Sequence, residues 1–220
     1  MLRWGGKRLL LNCSRQSGKS TTTAVLAMHQ AYYRPNSLIL LVSPSIRQSG
    51  ELFRKVTQFR TISELPISLV EETKLSMTLS NGSRIVSLPS SEATVRGFSG
   101  ASLIIEDEAS RVPDDLYRAM RPMLAVSGGR LILMSTPFGK RGHFFDEWSQ
   151  GQGWERITVT ADECPRISKE FLEEERRSIG DWWFRQEYGC EFMETVDSVF
   201  TYDLVAATMT DEVKPLFGGS

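Results

Sequence analysis

Cys13-Ser14-Arg15-Gln16-Ser17-Gly18-Lys19-Ser20-Thr21 is the stretch from which the fold is read. It follows the apolar run Leu9-Leu10-Leu11 and opens a helical stretch, Thr22-Thr23-Ala24-Val25-Leu26-Ala27-Met28. Strand, loop, helix is the context a phosphate-binding loop needs. Backbone N–H groups of such a loop, and of the helix end it opens, point at an anion. In that role Lys19 reaches the terminal phosphates of a nucleotide and the Ser20 hydroxyl holds magnesium. The usual pattern has glycine five positions before Gly18, and this chain has Cys13 there. Taken alone, the loop also fits a turn capping an ordinary helix.

A second stretch separates these readings. Ser102-Leu103-Ile104-Ile105-Glu106-Asp107-Glu108-Ala109 is an apolar strand ending in three acids. Carboxylates at the carboxyl end of a strand sit where α/β sheets bind ligands. Asp107 suits the shell of magnesium, and Glu108 suits the group that polarises an attacking water. The competing reading is a strand followed by a helix whose first turn favours acids.

Composition sets the limits. The chain has 220 residues, 40% hydrophobic and 24% charged, as for a soluble globular protein of one large domain or one domain plus an appendage. No apolar run approaches the roughly 20 residues of a membrane helix, and the run after Arg3, Lys7 and Arg8 is too short for a signal peptide. A cytosolic protein with no membrane partner is expected. Cys13, Cys164 and Cys190 lack metal-ligand spacing and are expected to be reduced. Net charge is −1, so any contact with DNA must use a local patch or charge from another domain or subunit.

In chain order, the phosphate-loop helix should run to about Tyr33 and end at Pro35-Asn36-Ser37. Leu38 to Val42 reads as a parallel strand covered on both faces. Ser43-Pro44-Ser45 opens a helix with Leu52, Phe53, Val56 and Phe59 at helical spacing. Leu75, Met77 and Leu79, then Asn81-Gly82, then Ile85, Val86 and Leu88 form a β-hairpin. Pro113-Asp114-Asp115 starts a helix reaching about Ala125. Arg130 to Ser135 is another buried strand, ending in Ser135-Thr136-Pro137. A loop with Gly139 and Gly142 precedes a helix carrying Phe144, Phe145 and Trp148, and Ile157-Thr158-Val159 is a further strand. From Ser168 the chain turns helical. The fold class is therefore α/β, with helices on both sides of a mostly parallel sheet. Resemblance to P-loop ATPases with a separate catalytic Glu, which usually insert a strand between the loop strand and the acidic strand, implies that the strand ending at Ser135 lies there, its polar end beside the γ-phosphate.

Together these features resemble the ATPase domain of the large terminase subunit of tailed bacteriophages. The likeness rests on Arg15-Gln16-x-Gly18-Lys19-Ser20, on Leu41-Val42-Ser43-Pro44 with Gln48, and on Asn81-Gly82-Ser83-Arg84-Ile85 followed by Arg96-Gly97. It continues in Ser135-Thr136-Pro137-Phe138-Gly139 with Gly142, Phe144, Phe145 and Trp148, and in Gln186-Glu187-Tyr188 with Cys190, Glu191 and Phe192. It spans about residues 8 to 200. The resemblance implies a RecA-like P-loop NTPase sandwich over residues 1–165 and a small helical subdomain over 166–220. It implies ATP and Mg2+ as ligands, with Ser14, Arg15, Gln16, Ser17, Gly18, Lys19, Ser20 and Thr21 binding ATP. Ser20 and Asp107 would hold the metal and Glu108 would activate water. Arg15 would touch the phosphates within one subunit, and Arg96 would reach a neighbour's site. Ser135 and Thr136 would sense hydrolysis and pass it to the DNA grip. Implied partners are double-stranded DNA, further copies in a ring (a pentamer on the procapsid), the portal protein and the small terminase subunit, in the host cell cytoplasm. The family usually continues into a ribonuclease-H-like nuclease, and this chain stops where that domain would begin, so no nuclease activity is expected of this polypeptide.

Other residues receive plainer readings. His29 and His143 stand alone and read as surface or packing residues. Trp182-Trp183-Phe184 reads as core or a subdomain seam rather than a base-stacking platform. Arg47, Arg54 and Lys55 read as one solvated helical face, with a phosphate grip as the alternative. Rival functions are a helicase-like or other DNA-dependent ATPase, a small-molecule kinase, and a non-catalytic nucleotide-binding assembly module. A self-contained helicase would need a second RecA-like lobe, itself a domain on the order of 100–200 residues. A kinase would need neither the Arg96-Gly97 loop nor the coupling strand.

Overall fold

Apolar side chains alternate between the two faces of the first strand, and both faces are covered. In the computed structural model, which describes residues 5–90 and 97–194 with Leu204, Ala207 and Thr208, β1 (Arg8–Cys13) is buried from its second residue onward. Leu9 and Leu11 join a core with Ala24, Leu26, Leu52 and Phe53 of α1 (Lys19–Tyr33) and α2 (Ile46–Ser63). Leu10 joins the opposite core with Leu116 and Met120 of α3 (Asp114–Met120) and Phe144 of α4 (Gly142–Ser149). Helix, sheet, helix is the three-layer α/β sandwich expected of parallel strands buried on both sides.

The remaining strands are β2 (Leu38–Ser43), β3 (Leu69–Glu72), β4 (Ser76–Leu79), β5 (Arg84–Pro89), β6 (Leu103–Asp107), β7 (Arg130–Ser135) and β8 (Glu155–Val159). The sheet order is β3-β4-β5-β2-β6-β7-β1-β8. Pairing is parallel from β5 through β8 and antiparallel between β3, β4 and β5. β7 thus lies between the loop strand β1 and the acidic strand β6, as expected. Its register sets Asn12 opposite Ser135 and Asp107 opposite Met134, so three strand ends finish level.

The hairpin at Asn81-Gly82 is present, with Met77 opposite Ile85. Gly82 is left-handed (φ 80°), and a Cβ there would lie 2.2 Å from Asn36 Oδ1. Asn81 donates from Nδ2 to the carbonyls of Ala31 and Tyr32 (2.8 and 3.3 Å), closing the end of α1. The edge strand β3 was not anticipated. It is short and largely exposed, so it carries no buried face to read. The helix beginning at Asp114 ends at Met120 rather than near Ala125, and residues Arg121–Leu124 continue as a 3-10 turn. Pro122 lacks the N–H an α-helix needs. The C-terminal helices α5 (Lys169–Ile179) and α6 (Asp181–Glu187) gather a small core of their own, in which Leu172, Phe184 and Tyr188 pack with Ala161. No helix among the described residues is long and apolar enough to cross a membrane.

Candidate functional site

The loop after β1 takes its shape from two left-handed residues, Gln16 (φ 61°) and Gly18 (φ 92°). At Gly18 a Cβ would meet Arg166 Nη2 at 3.0 Å. Backbone bonds pin the entry: Ser14 N–H donates to Val159 C=O (2.9 Å) and Arg15 N–H to Glu187 C=O (3.1 Å). Lys19 folds back over the loop, its Nζ donating to the carbonyls of Cys13 and Ser14 at 3.1 Å each. Cys13, which stands where glycine is usual, is buried against β8. Burial pushes its thiol up to about 11 and that of Cys190 up to about 12, so neither is a thiolate at neutral pH. All three cysteines are buried and free.

This loop borders an open cavity of about 460 Å³. Arg15, Gln16, Ser17, Gly18, Lys19, Ser20 and Thr21 line it together with Glu108 and Thr136. Ser14 and Ser135 are fully buried behind the wall. Ser20 Oγ lies 3.5 Å from Asp107 Oδ2, bringing the predicted metal-binding pair together. Burial first, then the neighbouring Glu108, pushes the Asp107 carboxyl up to about 6. A buried acid in that position gains from an added cation. Among the described residues, the cations Arg15, Lys55, Arg111 and Arg166 face the cavity besides Lys19, against the lining carboxylate of Glu108. That balance suits a polyphosphate, and the hydroxyl–carboxylate pair suits a hard oxygen-liganded ion such as Mg2+.

Several readings need correction. Lys55 does not share the solvated face of Arg54, which pairs with Glu51; it turns toward the cavity beside Gln48. One residue along a helix is a rotation of about 100°, enough to change its neighbours. Glu106 is not part of the ligand-facing acid cluster. It is fully buried, with Oε1 3.0 Å from His143 Nε2. His143 is therefore not partnerless: its Nδ1 lies 2.9 Å from Asp114 Oδ1, and its ring stacks on Tyr117 at 4.4 Å. Burial pulls the imidazole down, but the two carboxylates outweigh it and hold it above its ordinary value. Trp182-Trp183-Phe184 divides its roles. Phe184 is core, while Trp183 is 46% exposed.

Sequence reading also passed over Arg111, Arg166 and Ser110. Arg111 stacks on Phe138 at 4.1 Å. Ser110 shares a 2.7 Å hydrogen bond with Ser135 and donates to Thr136 C=O at 2.8 Å. Arg15 Nε donates to Glu187 Oε2 at 2.6 Å, and that bond is the first cause of its raised pKa. The predicted Arg96 lies outside the described residues.

Known proteins share this fold. The large terminase subunit of Thermus phage G20c is 29% identical over 89% of this chain and 48% of its own length. That of Escherichia phage T5 is 27% identical over 93% of this chain and 47% of its own. The chain thus spans about half the length of these relatives. Among solved structures, the large terminase ATPase domain of Thermus phage P74-26 superposes with a TM-score of 0.76 at 24% identity, covering 87% of this chain and 90% of that one. The large terminase of another thermophilic bacteriophage, in complex with ADP, superposes at 0.69 with 14% identity, covering 86% and 49%. Residues 10–206 match the family model "Terminase large subunit, T4likevirus-type, N-terminal", and the chain belongs to that family.

Proposed function

We propose that this chain hydrolyses ATP with Mg2+ and that hydrolysis drives double-stranded viral DNA into a procapsid. One observation carries the reading: Lys19, the Ser20–Asp107 pair, Glu108 and Thr136 meet around one cation-rich cavity at the ends of β1, β6 and β7. Family membership supports the packaging role. Nucleotide binding is supported by the large terminase of the second thermophilic phage, described in complex with ADP and with ATP-gamma-S.

In this reading the loop N–H groups and Lys19 hold the β- and γ-phosphates, and Arg15 touches them from the same subunit. Ser20 and Asp107 hold magnesium, which when bound neutralises charge on the phosphate oxygens. Glu108 orients and deprotonates water for attack in line with the leaving group. Ser135 and Thr136 report the loss of the γ-phosphate to the DNA-gripping surface. The division into an ATPase core over 1–165 and a smaller C-terminal part over 166–220 is supported, among the described residues, by the small cluster of Leu172, Phe184 and Tyr188, which joins the core side through Ala161. The working form is a homo-oligomeric ring on the procapsid, with the portal protein and small terminase subunit as partners.

Lys19→Ala is expected to abolish productive ATP binding, since the loop loses its mobile cation. Hydrogen bonds to charged groups are worth roughly 1.5–3 kcal/mol, so affinity for a fluorescent ATP analogue should fall at least about tenfold. Unchanged affinity would remove Lys19 from the phosphate site. DNA binding should be independent of sequence and should weaken steeply as salt rises from about 50 to 200 mM, because phosphates are what all genomic DNA shares. An affinity flat across that range would argue against a phosphate grip.

A further inference from the structure

The loop after Glu108 is held by side chains that no motif announces. Glu108 adopts left-handed backbone angles (φ 54°, ψ 42°). A non-glycine residue in that region costs about 1–3 kcal/mol and persists only where its surroundings enforce it. On one side, Glu108 N–H donates to Asp107 Oδ1 at 3.1 Å. On the other, Glu108 C=O accepts from Arg111 N–H at 2.9 Å across the turn containing Ser110. Ser110 has one hydroxyl proton, and Thr136 C=O takes it at 2.8 Å. The 2.7 Å contact with Ser135 must then be donated by Ser135. Ser135 is fully buried and Thr136 nearly so. The end of β7 is thus joined to the turn that sets the backbone of Glu108.

A second tie lies deeper. His143, at the start of α4, bridges Glu106 of β6 and Asp114 of α3, and Asp114 Oδ1 also accepts its backbone N–H at 2.7 Å. This bridge fixes the body of β6 to the helices beneath it. The short turn 109–111 is left as the segment through which the β7 end can act on Glu108.

We propose that Ser110 is a positioning residue that transmits the state of Ser135 and Thr136 to Glu108, and the reverse. The inference rests on the reading of Glu108 as the water-activating group. Loss of the hydroxyl leaves the Ser135 proton and the Thr136 carbonyl without their partner and frees the turn to carry Glu108 out of line. Misplacement of a reacting group by about 1 Å can cost on the order of 10²-fold in rate.

The test compares wild type, Ser110→Ala, Ser110→Thr and Ser135→Ala as the 220-residue chain. Three quantities are measured: affinity for a fluorescent ATP analogue, kcat for phosphate release, and amide hydrogen exchange over residues 136–149 with a non-hydrolysable ATP analogue and with ADP. Ser110→Ala should bind nucleotide within about twofold of wild type, lose about 10²-fold in kcat, and lose the exchange difference between the two nucleotides. Ser110→Thr keeps the hydroxyl and should recover most of both. Ser135→Ala should show the same pair of losses, and adding it to Ser110→Ala should cost little more. Wild-type turnover and a wild-type exchange difference in Ser110→Ala would overturn the proposal. So would a Ser110→Thr protein as impaired as Ser110→Ala, which would mark a packing role. A wild-type protein that binds nucleotide but never releases phosphate contradicts the water-activating reading of Glu108; the exchange difference still reports separately on Ser110.

Discussion

Glu108→Ala is expected to bind ATP and magnesium almost as wild type does, yet to hydrolyse about 10²–10⁴ times more slowly, the usual contribution of a positioned general base. The two functions separate because the residues do. In the proposed reading, phosphate contacts fall to the loop and Lys19, and the metal to Ser20 and Asp107, whose side chains lie 3.5 Å apart. Glu108 faces the same cavity one residue beyond Asp107, with backbone angles that turn it away from the strand. Equilibrium binding of a fluorescent ATP analogue, paired with phosphate release, checks this. A Glu108→Ala protein unable to bind nucleotide would make Glu108 structural and the assignment wrong.

Arg96→Ala should have an effect as large or larger, about 10³–10⁵ in rate, the range measured for arginine fingers. Phosphoryl transfer needs positive charge on the γ-phosphate as it leaves. Lys19 and magnesium supply part of it. In the proposed ring, an arginine from a neighbouring subunit supplies the rest. Arg96 precedes Gly97, whose lack of a side chain permits a tight turn, and in sequence it stands shortly before the acidic strand β6. Wild-type specific activity should therefore rise with protein concentration as subunits meet. Arg96→Ala and Glu108→Ala, each nearly inactive alone, should recover activity when mixed at high concentration, because mixed rings set an intact Glu108 against a neighbour's intact Arg96. A mixture that stays inactive where wild type is active would show that Arg96 does not act across subunits.

Local patterns carried most of the fold. The phosphate loop, the Asn81-Gly82 hairpin and the continuous apolar strands each announce themselves within a few residues, whereas the position of β7 between β1 and β6 is legible through the resemblance to P-loop ATPases and not from any local pattern. What stayed hidden depended on contacts distant in sequence. His143 meets Glu106 and Asp114 across 37 and 29 residues. The available signal was Glu106 itself, an acid within an apolar strand, which must find a partner once buried. Helical spacing sets Arg47, Arg54 and Lys55 on one face, yet Lys55 turns toward the cavity. Ser110 gave no signal at all, since a serine in an acidic turn is ordinary until Ser135 and Thr136 are brought beside it.

Phosphate release measured across protein concentration tests most directly whether this site hydrolyses ATP. Wild type with ATP and Mg2+ should release phosphate continuously, with specific activity rising as concentration rises. Release should stop on chelation of the metal and be absent in Lys19→Ala. Wild-type protein that demonstrably binds ATP with Mg2+ but releases no phosphate at any concentration, with or without double-stranded DNA, would contradict the account.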